Sequence, residues 1–303
     1  MPNIWTHILF CQNMVDAIPN QPDFLRQTSF LNLGSQGPDP FFYHHFWPWL
    51  KSSSVNEIGK LMHTKHCGDV IMDLIVASKD QSDKVKAYVF GFVTHHILDR
   101  HTHPYIHYRA GYEGSNHQKL EVRIDTLMLQ KYKQMNSWEF PVHQKIDIGS
   151  TIDQAVQNIL HATIKKHYPE VDQKTPDYIQ KAYKDMKLAF KILSDPFGWK
   201  NSLLGPFISA YSHRPIKDNV DYLNEHRNAW HHSATNDVST KSFLDLYNDA
   251  VDEGVGIMTD LIRYWSDSDN RHTILSDLIG HISFDTGMPL ALGLTNKYSD
   301  PIV

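Results

Sequence analysis

From end to end the apolar residues of this chain recur every three or four positions rather than every second one. That period constrains the fold more than any other feature, because it gathers apolar side chains on one face of a helix but would scatter them over both faces of a strand. Ile152, Val156, Ile159, Leu160 and Ile164 form one such stripe. Tyr178, Ala182, Met186, Phe190 and Leu193 form another, with Thr175 as cap, Pro176 as first helical residue and closure before Pro196. Phe243, Tyr247, Ala250, Met258, Leu261 and Trp265 mark a third. Gly, Pro, Ser and Asn concentrate at 34–40, 112–116, 136–141, 196–206 and 212–219, which read as loops. The expected fold is all-α. No loop separates two self-sufficient patterns and no fixed-period repeat is present, so a single domain over 1–303 is expected, with 131–303 as helical scaffold.

Two helices carry polar residues where apolar ones belong. Val85, Tyr88, Phe92, His95 and Asp99 lie on one seam of a helix predicted over 82–102, so an imidazole and a carboxylate share its apolar face. Four residues apart, their Cβ atoms are roughly 5–6 Å from each other and both reach one point beside the helix. Pro104 biases His103 away from helical geometry, which predicts that the helix ends there and that His103 turns back toward the same region. The next helix repeats the theme: His117, Leu120, Glu121, Ile124 and Met128 form its apolar stripe. Burying carboxylates costs several kcal/mol each, at roughly the scale of ion desolvation, unless something positive compensates them.

A lone His-x-x-x-Asp is most often an ion pair. Two such pairs, with His103 and further candidates upstream, point instead to divalent metal, for which neutral imidazole and carboxylate are standard zinc ligands. The upstream candidates are His7, beside the stripe Ile4, Ile8, Cys11 and Val15; Asp39, held between Pro38 and Pro40; and His63, with His66 as a rival on the same face. Histidine is abundant: of 20, ten lie between His44 and His117. His44, His45, His96, His101 and His107 read as outer supporting or surface groups.

A net charge of −5 with no Lys/Arg block argues against nucleic acid as partner. Cys11 and Cys67 are too few for a disulfide framework and read as small buried apolar groups. No basic leader opens the chain and no apolar run approaches the roughly 20 residues of a membrane span, so a cytoplasmic location is expected. The Gly-x-Ser-x-Gly elbow, the phosphate-binding P-loop and the His-Asp dipeptide are all absent, which disfavours those three chemistries.

The order His7, Asp39, His63, His95-x-x-x-Asp99, His103, His117-x-x-x-Glu121 resembles the bacterial zinc-dependent phospholipase C family, which shares its helical fold and three-zinc site with the S1/P1-type nucleases. The stretches Gly34-Ser35-Gln36-Gly37-Pro38-Asp39-Pro40, Gly91 to Asp99 and His103-Pro104-Tyr105-Ile106 look like that family's landmarks, and the ligand pattern spans residues 1 to about 130. The resemblance implies a cofactor of two to three Zn2+ in three groupings: Asp39, His63, His95 and Asp99; His103, His117 and Glu121; and His7 with a bridging Asp99. Asp39 would also activate the attacking water. Secreted members complete the third grouping with a processed N-terminal Trp, whereas this chain begins Met1-Pro2-Asn3. Three zinc ions against three carboxylates leave a charge of about +3, which would attract a phosphodiester anion. The implied reaction is zinc-assisted hydrolysis of phospholipid or another phosphodiester, with inversion at phosphorus. The aromatic run Phe41, Phe42, Tyr43, Phe46, Trp47 and Trp49 suits either the core or transient contact with a membrane surface. Alternatives are a nuclease or phosphomonoesterase with the same cluster, and a non-catalytic lipid- or metal-binding protein.

Overall fold

The computed structural model describes residues 4–47, 49–171, 175–208, 210–266 and 271–303, without the side chains of 204–207. Helices dominate: α1 (Ile4–Ala17), α2 (Thr28–Gly34), α3 (Ser54–Thr64), α4 (Cys67–Ser78), α5 (Asp83–Ala110), α6 (Asn116–Lys133), α7 (Gln154–His167), α8 (Asp177–Leu193), α9 (Trp199–Ile208), α10 (Phe243–Ser266) and α11 (Arg271–Ile279). Short 3-10 turns include Asp39–Tyr43, and the β structure among the described residues is a two-residue antiparallel ribbon, Trp230–His231 with Val238–Ser239, plus an isolated bridge from Ile282 to Pro289. The expected all-α class holds. No helix among the described residues is long and apolar enough to cross a membrane. Both cysteines are buried and free.

The helix α5 is the axis of the molecule. It is buried on all sides, from Val85 to Ala110, because α1, α2, α4, α6 and α10 all pack against it. The contact with α2 is at backbone distance: a Cβ at Gly91 would lie 2.3 Å from the Leu31 carbonyl oxygen, and one at Gly34 would lie 2.0 Å from that of Tyr88. The helix α1 is fixed by a carboxylate from another helix. Asp125 on α6 accepts hydrogen bonds from the backbone N–H of Trp5 (2.9 Å) and Thr6 (2.8 Å) and from the Thr6 hydroxyl, capping α1 from across the core. Residues 1–3, on which the comparison with a processed N-terminus rests, lie outside the described residues.

Three local expectations need correction. Pro104 does not end α5, which continues to Ala110. A proline inside a helix deprives the carbonyl four residues back of its donor; here that carbonyl, of Arg100, faces the Cα of Gly287, where an added Cβ would lie only 2.1 Å from the oxygen. The C-terminal tail secures the turns beyond the proline, with Asp300 N–H donating to the Tyr108 carbonyl and Ile302 N–H to that of Arg109. The segment 196–206 is not all loop, since α9 begins at Trp199; the Asp195 carboxylate accepts from the Asn201 N–H (2.7 Å) and organises that start despite the Gly and Pro nearby. Finally, α8 starts one residue later than expected, with Pro176 in the capping position.

Candidate metal centre

The site is built around Asp99, which is fully buried halfway along α5. Its Oδ1 faces His7 Nε2 at 3.4 Å and His103 Nε2 at 3.5 Å, while its Oδ2 faces His95 Nε2 at 2.9 Å and His63 Nε2 at 3.7 Å. Four imidazoles from three helices thus surround one carboxylate. Asp39, at the start of its 3-10 turn, adds a second: Oδ1 lies 3.6 Å from His63 Nε2 and 3.7 Å from His95 Nε2. On the far side of His103, His117 and Glu121 of α6 stand 2.7 Å apart. Ligand-capable atoms of His7, His95 and Asp99, of Asp39, His63 and His95, and of His103, His117 and Glu121 lie within 4.8 Å of one another in each group.

The second nitrogen of three imidazoles is tied outward. Nδ1 of His63 meets the Gly59 carbonyl (2.6 Å), that of His95 the Ser35 carbonyl (2.9 Å) and that of His103 the Phe284 carbonyl (2.8 Å). A carbonyl only accepts, so each Nδ1 carries a proton and each ring, when uncharged, turns its Nε2 lone pair inward. Those Nε2 atoms, with His7 Nε2, Asp39 Oδ1 and both oxygens of Asp99, have no hydrogen-bond partner among the described residues. Lone pairs converge on lone pairs, which repel unless a cation lies between them. Burial holds His7, His103 and His117 well below the ordinary imidazole range, which favours their uncharged form. At His95 burial is outweighed by the carboxylates of Asp99 and Asp39, which push its pKa up. Burial raises Asp39 to about 6 against the pull of His95 and His63; Asp99, despite its burial, is held well below the carboxylate range by His103 and His95.

The loop 34–40 is shaped to fit. Gly37 has a φ of +50°, and a Cβ there would lie 2.5 Å from Cδ2 of the His95 ring. The side-chain amide of Asn56, at the third position of α3, donates to the carbonyls of Phe41 (2.9 Å), Phe42 (3.2 Å) and His44 (3.0 Å), locking the turn that carries Asp39. The two rivals, His63 and His66, lie in different surroundings. His63 is buried in the cluster, whereas His66 caps α4 in a left-handed conformation (φ 53°), half exposed beside Asp69.

All eight residues singled out in the sequence thus meet in one region. The sequence offers no sign of what encloses it from the other end of the chain. Phe284 donates its N–H to the His63 carbonyl (3.1 Å) and accepts from His103 with its own; its ring packs on His63, His95 and His96. The Ile282 carbonyl binds His96 Nε2 (2.9 Å), and Asp285 binds His107 Nε2 (2.9 Å). Of the five histidines read as supporting, His96 and His107 border the site, while His44 bonds Ser53, His101 bonds Glu253 and His45 donates its backbone N–H to Asp185. His107 follows His103 by one helical turn and was within reach of sequence reasoning; Phe284 and Asp285 carry no local signal.

A family model described as zinc dependent phospholipase C matches residues 6–192. Neither the curated proteins nor the solved structures yield a match.

Proposed function

This chain belongs to the zinc-dependent phospholipase C family, and from that membership we propose that it is a phosphodiesterase cleaving glycerophospholipid into diacylglycerol and a phosphorylated headgroup. One observation carries the reading: buried, unpartnered Nε2 atoms of four histidines converge with unpartnered oxygens of Asp39 and Asp99. Such a donor set suits zinc, a borderline ion of mixed nitrogen and oxygen preference. Asp39, His63, His95 and Asp99 would hold one ion, His103, His117 and Glu121 another, and His7 with Asp99 a third. Zinc bound there supplies positive charge for a phosphoryl anion and acidifies water.

The protein's own groups divide the remaining work. The carbonyls of Gly59, Ser35 and Phe284 fix the rings of His63, His95 and His103, so that the donor atoms are placed before substrate arrives. Asp39 is the proposed base: with one oxygen turned to His63 and His95, its other oxygen would take the proton of the attacking water. Stacked Phe46, Trp47 and Trp49, the last 72% exposed, offer an aromatic edge suited to a lipid interface, downstream of Asp39. We treat 1–303 as one domain, because Ile282 to Asp285 contribute to the same site as His7.

The test is a panel of phosphatidylcholine, phosphatidylethanolamine, single-stranded DNA and phosphomonoesters. The reading predicts cleavage of phospholipid and a loss of at least about 100-fold in kcat for Asp39→Asn, the usual scale for a positioned base. Turnover of the nucleic acid or monoester alone would favour the alternative hydrolases, and zinc-replete protein inactive on the whole panel would leave a binding protein.

A further inference from the structure

Away from the Asp99 cluster, three histidines (His167, His272 and His281), two aspartates (Asp69 and Asp73) and Lys166 line a surface cavity of about 190 Å3, and His66 stands beside Asp69. His66 precedes α4, Asp69 and Asp73 lie on its first two turns, His167 ends α7, His272 lies on α11 and His281 follows it. Donor atoms of His66, Asp69 and His167 all lie within 4.8 Å of one another.

The distances separate this group from ordinary ion pairs. Where a histidine and a carboxylate simply bond in this protein, they close to hydrogen-bond length: 2.6 Å for His101 and Glu253, 2.7 Å for His167 and Asp73, 2.9 Å for His107 and Asp285. Asp69 Oδ2 instead stands 3.6 Å from His66 Nδ1 and 3.7 Å from His281 Nδ1, too long for a hydrogen bond. Apart from the closer His95–Asp99 contact at 2.9 Å, those are the separations found around Asp99 and Asp39, and they are close to the edges of a tetrahedron whose centre lies about 2.0–2.2 Å from each nitrogen or oxygen. The backbone adds a second, independent sign. His66 occupies the left-handed region at φ 53°, an uncommon conformation for a non-glycine residue, and this is what turns its ring away from the buried site toward His167, with ring centroids 5.6 Å apart. On the opposite wall the Gly280 carbonyl lies so near Gly68 that a Cβ there would be 2.1 Å from it, which brings His281 over Asp69.

We propose that His66, Asp69 and His167 form a separate divalent-metal site of the zinc class, with His281 at its edge. Imidazole and carboxylate select zinc, cobalt or nickel over magnesium or calcium. An ion here joins α4, the end of α7 and the stretch after α11, immediately before the residues that hold His63, His96 and His103. It acts as a clamp on the C-terminal segment and takes no part in catalysis. The proposal stands whether or not the buried cluster hydrolyses phospholipid.

The test is an equilibrium zinc titration of metal-stripped, full-length protein against a chelating indicator, for wild type, His66→Asn and His167→Gln. Asn tolerates the left-handed backbone, so His66→Asn leaves the fold intact, and circular dichroism checks both variants. The expected result is one zinc fewer per chain in each variant, or at least a 10-fold weaker last zinc, with phosphodiesterase turnover under saturating zinc unchanged. Hydrogen exchange supplies a second readout: zinc added beyond the tight sites slows exchange at 280–283 in wild type but not in the variants. Identical isotherms and exchange in all three proteins would overturn the proposal. Zinc bound equally by all three, with the buried ligands intact, would overturn it without touching the reading of the Asp99 cluster.

Discussion

Gly37 shows how single residues bear on the site. Its φ of +50° is one that residues with a Cβ adopt at a cost, and any Cβ would enter the His95 ring, 2.5 Å from Cδ2. Gly37→Ala is therefore expected to destabilise the metal-free protein by about 1–3 kcal/mol through strain and overpacking. It should also weaken zinc binding, because relief of the clash moves His95 away from Asp99. Urea unfolding and zinc competition check the two effects, and an unchanged zinc affinity would count against the placement of His95. At this scale the sequence was legible where residues share a helix. Steps of four placed His95 and Asp99 on one side of α5 and His117 and Glu121 on one side of α6, whereas His103 was expected to turn back from beyond the helix end and instead lies a further step of four along α5. The Ser35 carbonyl and Phe284 were not legible, since backbone acceptors and residues nearly 200 positions away leave no periodic trace.

Among the elements, α5 organises the rest, and its junction with α10 has a measurable electrostatic signature. Glu253 on α10 bonds His101 Nε2 (2.6 Å) and Arg100 Nε (3.0 Å) of α5. Burial would raise its pKa, but hydrogen bonding to His101 and the Arg100 charge dominate and lower it to about 2 from an ordinary value of 4.5. A carboxyl whose folded pKa lies below its unfolded one contributes stability above about pH 4.5, and that contribution disappears as pH falls toward 2. In metal-free protein, Glu253→Gln should flatten the loss of stability between those pH values, as followed by urea unfolding. Helix periodicity revealed the existence and type of α5, α6, α7, α8 and α10. It misplaced the end of α5, because local proline chemistry was read without Gly287 and the C-terminal tail, which stabilise the turns past Pro104 from outside the helix.

For the whole molecule, metal and fold are coupled, because the Asp99 cluster draws on α1, α3, α5, α6 and the stretch 282–285. Each ion bound at a thousand times its dissociation constant adds about 4 kcal/mol to stability. Chelation should therefore lower the urea midpoint and restored zinc should recover it; equal midpoints with and without zinc would remove that coupling. The family match ends at 192, so the closing segment at 282–285 is a feature of this chain that the match does not cover. The central claim is that cations lie where four imidazole nitrogens face Asp99. Its most direct test is zinc content by mass spectrometry of protein expressed in zinc-replete medium, for wild type and Asp99→Ala. The account predicts at least two tightly held zinc ions in the buried cluster of wild type, with Asp99→Ala retaining there only the one at His103, His117 and Glu121, while the site at His66, Asp69 and His167 contributes equally to both proteins. Zinc-free wild type, or an Asp99→Ala variant with undiminished zinc, would contradict it.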